Sequence, residues 1–146
     1  MKKIFFLTLV LLTAAFYSQS VNAQTEAQRI ELCTKAAGDC TFLSSYPVQL
    51  PAAGSGQKAP NFKQATILKK GNVYRFTICT DEESAGEAYL EVFDEAKKMG
   101  SSLVDGKTYP SFNFECTKTA HYVFFVTFRD GKEGSAVAIL SHVKTL

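Results

Sequence analysis

"FNFECTKTAHYVFFVTFRDGKEGSA", residues 112–136, decides the fold. Within it, Tyr122, Phe124, Val126 and Phe128 alternate with Val123, Phe125 and Thr127. Successive side chains of an extended strand point to opposite faces, so a period of two marks a strand. Both faces here are largely apolar, which predicts a central strand covered on both sides. Just upstream, Phe112, Phe114 and Cys116 share one face of a second strand. Downstream, Asp130 and Gly131 open a polar turn, so "DGKEGS" reads as a hairpin loop and "SAVAILSHV" as the returning strand.

The same alternation recurs upstream. "ATIL", "KKGN" and "VYRFTICT" read as strand, turn and strand, with Gly71 and Asn72 able to supply the positive φ of a tight turn. In the second strand Tyr74, Phe76 and Ile78 fall on one face; Val73, Arg75, Thr77 and Cys79 fall on the other. "AYLEVFD", residues 88–94, alternates again. A short strand is expected around Ser101 to Val104, followed by an Asp-Gly turn at Asp105 and Gly106. Short strands separated by Gly, Pro, Asn and Asp point to an all-β fold. The expected architecture is a two-sheet antiparallel β-sandwich of about seven or eight strands, jelly-roll-like, with its core filled by phenylalanines, nine of the twelve lying after residue 23.

Residues 24–63 read differently. Ile30, Cys33 and Ala37 recur at helical spacing, which predicts a short helix stopped by Gly38. Pro47, Pro51 and Pro60 then exclude a long helix. Val48 to Leu50 reads as a short edge strand and residues 51–60 as an exposed loop. The main sandwich is expected over residues 64–146, with 24–146 forming one domain.

The first 23 residues read as a signal peptide. Lys2 and Lys3 precede an apolar run from Ile4 to Phe16, and Val21-Asn22-Ala23 offers a small-x-small cleavage site. At about 1.5 Å per residue that run is too short for a ~30 Å hydrocarbon core. No membrane span is expected after cleavage, and the compact leader resembles the bacterial Sec type, giving a periplasmic or secreted product. Removing Lys2 and Lys3 from 16 basic residues leaves fourteen against fourteen acidic ones. A neutral domain without a basic stripe has no general attraction for nucleic acid.

Cys33, Cys40, Cys79 and Cys116 all lie after the leader. An even number in a small exported domain predicts two disulfides. Four cysteines allow three connectivities. The expected pairs are Cys33 with Cys40, closing a local loop, and Cys79 with Cys116, tying distant strands. Against the second pair, Cys79 is out of phase with Tyr74, Phe76 and Ile78, whereas Cys116 is in phase with Phe112 and Phe114. Without a β-bulge the two sulfurs point opposite ways. The spacings do not suit zinc, whose sites use cysteine pairs a few residues apart.

Motifs that carry chemistry are missing from the sequence. There is no G-x-S-x-G elbow and no phosphate-binding loop, and His121 and His142 read as ordinary strand-end residues. The densest charge runs from Asp81, Glu82 and Glu83 through Glu87, Glu91, Asp94 and Glu95. Paired carboxylates across a cleft can hydrolyse glycosides, but these sit in one loop and the strand after it. A calcium ion near Asp81–Glu83 is conceivable by ligand type, although the spaced-aspartate loop of known sites is absent. No catalytic residue, cofactor or metal is therefore assigned. Tyr46, Tyr89 and Tyr109 are the candidates for an exposed aromatic ligand platform.

The run "LKKGNVYRFTIC", "AYLEVFD" and "FNFECTKTAHYVFFVTF" resembles small jelly-roll accessory domains of secreted bacterial proteins, above all the pre-peptidase C-terminal domain, and in outline the GOLD domain. Gly71, Tyr74, Phe76, Asp94, Thr119 and Tyr122 carry the resemblance, over residues 64–142; Ala120 stands where those domains usually have glycine. The resemblance implies a non-catalytic accessory role. The functional expectation is an exported binding module contacting a protein or glycan through loops 51–60, 80–87 and 129–135. The alternatives are a carrier of a small apolar ligand and a hydrolase. A flat exposed apolar patch would favour the binding module over either.

Overall fold

The computed structural model describes residues 24–146, so the expected leader lies outside the described residues. One helix, α1 (Glu26–Ala36), precedes ten strands: β1 (Thr41–Leu50), β2 (Asn61–Leu68), β3 (Asn72–Thr80), β4 (Ala88–Asp94), β5 (Lys97–Ser101), β6 (Leu103–Val104), β7 (Lys107–Thr108), β8 (Ser111–Cys116), β9 (Ala120–Phe128) and β10 (Gly134–Thr145). One antiparallel sheet has the order β1-β10-β3-β8 and the other β2-β9-β4-β5. The count of ten exceeds the expected seven or eight because β6 and β7 form a separate two-stranded hairpin. Its turn is Asp105-Gly106, both at positive φ, as the Asp-Gly pair predicts. The expected boundary at residues 63/64 falls inside β2, and β1 is a full member of the first sheet.

Among the eight strands of the two sheets, every successive pair except β4–β5 sits in different sheets. This is the double-sheet jelly roll. It corrects the expected hairpin at residues 130–135. The turn at Asp130 and Gly131, both at positive φ, carries the chain from β9 in one sheet to β10 in the other. The segment 69–71 does the same between β2 and β3. Local sequence shows where a turn falls. It does not show whether the chain returns beside the strand it left or crosses the ~10 Å gap to the facing sheet.

The core lies between the sheets. Phe76, Ile78, Leu90, Val92, Phe114, Tyr122, Phe124, Val126 and Phe128 are buried there, each at the phase its alternation predicts. The Tyr122 hydroxyl donates to the Lys118 carbonyl at 2.6 Å, and the buried Cys116 thiol lies 3.8 Å from the Tyr122 hydroxyl and 3.2 Å from that carbonyl. Burial pushes the Tyr122 phenol up to about 12, and the Cys116 thiol adds to the shift. In the unfolded chain the phenol ionises near 10. The folded state thus keeps its proton longer, and this contribution to stability is complete below pH 10 and lost between 10 and about 12. Denaturation of the native protein should therefore become easier over that window. The Tyr122→Phe protein, weaker overall for lack of the bond to Lys118, should show a shallower fall. Parallel slopes in urea titrations at pH 9 to 12 would contradict the assignment.

Helix α1 covers the outer face of the first sheet. Thr25 caps it: its hydroxyl accepts from the Gln28 N–H, and the Gln28 side chain accepts from the Thr25 N–H. This reciprocal cap satisfies two otherwise orphaned donors. Cys33 and Ala37 are buried against Val137 and Ile139 of β10. The Arg75 guanidinium donates to the Ala37 carbonyl at 2.7 Å, and Arg29 pairs with Asp81. Gly38, at φ +79°, ends the helix as expected.

The expected disulfides are corrected. Cys33 bonds to Cys79, with Cα atoms 5.8 Å apart, and Cys40 and Cys116 remain thiols. No bulge interrupts the β3–β8 register, so Cys79 stays on the outer face under α1 and Cys116 stays in the core. The phase of the two residues was the decisive signal. Cys40, just past the helix, packs beside the disulfide with its thiol near the Ala37 carbonyl, 3.5 Å away.

Candidate binding face

The second sheet has no such cover among the described residues. We call it the bare sheet. Its central strand β9 buries Tyr122, Phe124, Val126 and Phe128 inward, as expected. The opposite side of β9, with Val123, Phe125 and Thr127, is only half-buried. This corrects the expectation of a strand covered on both sides. A strand apolar on both faces is normally sealed on both, because exposed contiguous apolar area is unfavourable in water.

Pairing registers place three rows across this face. Asn61, Thr127 and Tyr89 form one; Lys63, Phe125 and Glu91 the next; Ala65, Val123 and Phe93 the third. Ile67, opposite His121, extends the patch at one end and is 58% exposed. Phe93 and Phe125 meet edge to face, with ring centroids 5.5 Å apart and planes at 89°. Glu91 pairs with Lys98 on β5, and Lys63 stands exposed on β2. The result is a flat aromatic and aliphatic surface with charge at its flanks.

The three expected tyrosines do not form a platform. Tyr46 turns inward from β1 and packs on Phe124 and Phe62. Tyr109 sits by the β6–β7 corner, 47% exposed, beside a cleft of about 240 Å³ that it shares with Glu87 and Pro110. Tyr89 alone belongs to the bare face. Sequence reading selected Tyr89 but missed Phe93, Phe125 and Ile67. The apolar outward phase of β9 was visible, yet it was read as a second buried layer, and the alternation of β4 left open which of its faces points outward.

The expected binding loops do converge. The Ala53 N–H donates to the Gly131 carbonyl at 2.7 Å, and the Gly86 N–H to the Glu133 carbonyl at 3.0 Å. Loops 51–60, 80–87 and 129–135 thereby share one end of the sandwich. The clefts there are polar and open: one of about 280 Å³ lined by Leu50, Glu83, Ser84 and Ser135, and one of about 400 Å³ lined by Arg29, Gln49, Asp81 and Glu82. Asp81 is engaged by Arg29, and among the described residues no three His, Cys, Asp or Glu side chains converge on a metal position. His142 contacts the Asn72 side-chain oxygen at 2.9 Å, while His121 lies exposed on the bare sheet.

A scan against protein-family models gives no match to this chain, and neither does a search of curated proteins. Among the described residues no helix is long and apolar enough to cross a membrane.

Proposed function

We infer that this chain is an exported, non-catalytic β-sandwich module that docks a protein of the cell envelope on the outer face of its bare sheet. The observation that carries the reading is the half-buried patch of Phe93, Phe125, Val123 and Tyr89 with the exposed Ile67, opposite a sheet whose own outer face carries a helix over β1, β10 and β3. Large contiguous apolar patches on soluble domains are typical of interaction surfaces. Export is supported by the Cys33–Cys79 disulfide, a bond favoured in oxidising compartments. The resemblance of residues 64–142 to jelly-roll accessory domains points the same way.

A protein suits this face better than a glycan. Sugars stack on the open plane of a ring and need polar groups beside it. Here Phe93 and Phe125 cross edge to face, so the edge of one ring covers the plane of the other, although Asn61, Lys63, Tyr89 and Glu91 supply polar groups around them. The small-ligand carrier is less favoured because Tyr46, Phe62, Phe76 and Phe124 pack ring to ring between the sheets.

Photo-crosslinking residues at Tyr89 or Ile67, in protein expressed in its native envelope, should give discrete protein adducts. The same group at the exposed Glu115 of β8 should give none. Phe125→Lys in the same chain should reduce the adducts severalfold. Adducts from Glu115 alone would move the binding surface to the covered sheet and overturn this reading.

A further inference from the structure

The flanks of the bare face are complementary to each other. On the β2 side of β9 the three rows carry Asn61, Lys63 and Ala65; on the β4 side they carry Tyr89, Glu91 and Phe93. One flank is small and carries Lys63; the other is bulky and carries Glu91, with Lys98 of β5 paired beside it. We propose that the partner of this face is a second copy of the chain, packed sheet to sheet about a two-fold axis running nearly along β9. The inference rests on the bare face being the docking surface.

The geometry follows from the symmetry. Two identical flat faces meet when one copy is turned over about an axis lying in the contact plane, and such an interface must be complementary to itself. An axis along β9 exchanges the two flanks. Lys63 of each copy then faces Glu91 of the other, Ala65 faces Phe93, and Asn61 faces Tyr89. The rings seat over small side chains, and two opposite-charge pairs form. The strands of the two sheets run close to aligned, as stacked twisted sheets do. Along the axis, Phe125 and Val123 pack against their own counterparts.

The alternative in-plane axis, perpendicular to β9 through the Phe125 row, leaves each flank over itself. Lys63 would face Lys63, and Glu91 would face Glu91. Like charges brought together in an interface are strongly unfavourable, so the charge arrangement selects the axis along β9. Within each copy, Glu91 also pairs with Lys98, whose side chain is half exposed on β5. A carboxylate has lone pairs enough to accept from both lysines.

The size of the face sets the strength. An axis along β9 overlaps three strands, β2, β9 and β4; at about 4.8 Å per strand and seven residues of about 3.3 Å each they give a patch of roughly 14 by 25 Å. Two such patches bury on the order of 700 Å², below the ~1,000 Å² of a stable specific interface and in the range of a transient one. The dimer is therefore weak and concentration-dependent, with dissociation in the micromolar range or above.

Sedimentation velocity over a concentration series, on the protein expressed from the full chain, tests this with charge variants outside the core, at the exposed Lys63 and at the partly buried Glu91 that pairs with Lys98. Wild type should shift from monomer to dimer. Lys63→Glu and Glu91→Lys should each weaken the dimer by about tenfold or more. An equimolar mixture of the two should recover it, because the heterodimer restores two opposite-charge pairs. Wild type that stays monomeric to about millimolar concentration would overturn the self-pairing, as would variants that dimerise undiminished or a mixture that fails to recover. Crosslinks from Ile67 separate this from the broader reading. Adducts with a different protein alone leave the docking face standing and overturn the self-pairing; no adduct of any kind overturns both.

Discussion

Phe124→Ala should lower the free energy of unfolding by about 4 kcal/mol, as deletion of a fully buried phenylalanine does. Phe124 is 1% exposed and joins both sheets. Its ring meets Tyr46 of β1 at 5.1 Å, Phe76 of β3 at 5.6 Å and Phe62 of β2 at 6.3 Å between centroids. These neighbours come from three strands, each held by its own ladder, so the space left by the ring cannot readily collapse. The adjacent Phe125 supplies the control. It has the same side chain on the same strand but lies on the bare face, where Phe125→Ala should cost far less. Urea denaturation of both variants checks the contrast. Comparable losses at the two positions would mean that the face of Phe125 is sealed in the folded monomer, and would remove the basis of the docking surface.

Loss of the Cys33–Cys79 bond should be nearly as costly. The cysteines are 46 residues apart in sequence. Opening a loop of that length restores chain entropy to the unfolded state worth about 4 kcal/mol. For a domain of this size that is a fall in Tm of about 15 °C. The paired change Cys33→Ser with Cys79→Ser is the cleaner variant, since either single change leaves a thiol beside Cys40. Thermal unfolding with and without reductant should show the same drop for the native protein and none for the double variant. Alkylation of the unfolded, unreduced chain should label two thiols, Cys40 and Cys116. Four labels, or none, would contradict the pairing.

Much of this fold is legible in single strands. The phases of β3, β8 and β9 follow from alternation alone, that of β4 only up to which face turns inward, and the Asp105-Gly106 turn follows from its residue types. Helix α1 could also have been placed more firmly, because Thr25 and Gln28 spell its capping box. What local pattern lacks is information about the second partner of each face. Tyr122 and Phe125 both sit on a strand read as wholly buried, yet one is enclosed and the other is not. The outward phase of Cys79 was readable, but not that α1 folds back over β3 to meet it. In the same way the turn after β9 was visible while its crossing to the other sheet was not. The candidate face therefore had to be found by layer, as the side of a sheet over which none of the described residues forms a second layer.

The position of β10 has a consequence for how the chain acquires its structure. This strand follows all the others in sequence, yet it lies second in its sheet, between β1 and β3. Until it is available, β1 has no ladder partner, the floor beneath α1 is missing because Val137 and Ile139 are its central residues, and β3 is paired only with β8. A chain emerging from its N-terminal end can thus form the β2-β9-β4-β5 sheet first but must hold β1 and the helix unpaired until residues 134–145 arrive. Such pairings, distant in sequence, are slow to form. Under the export proposed above, in which the chain crosses a membrane in extended form, that ordering would delay folding until almost the whole sandwich had crossed.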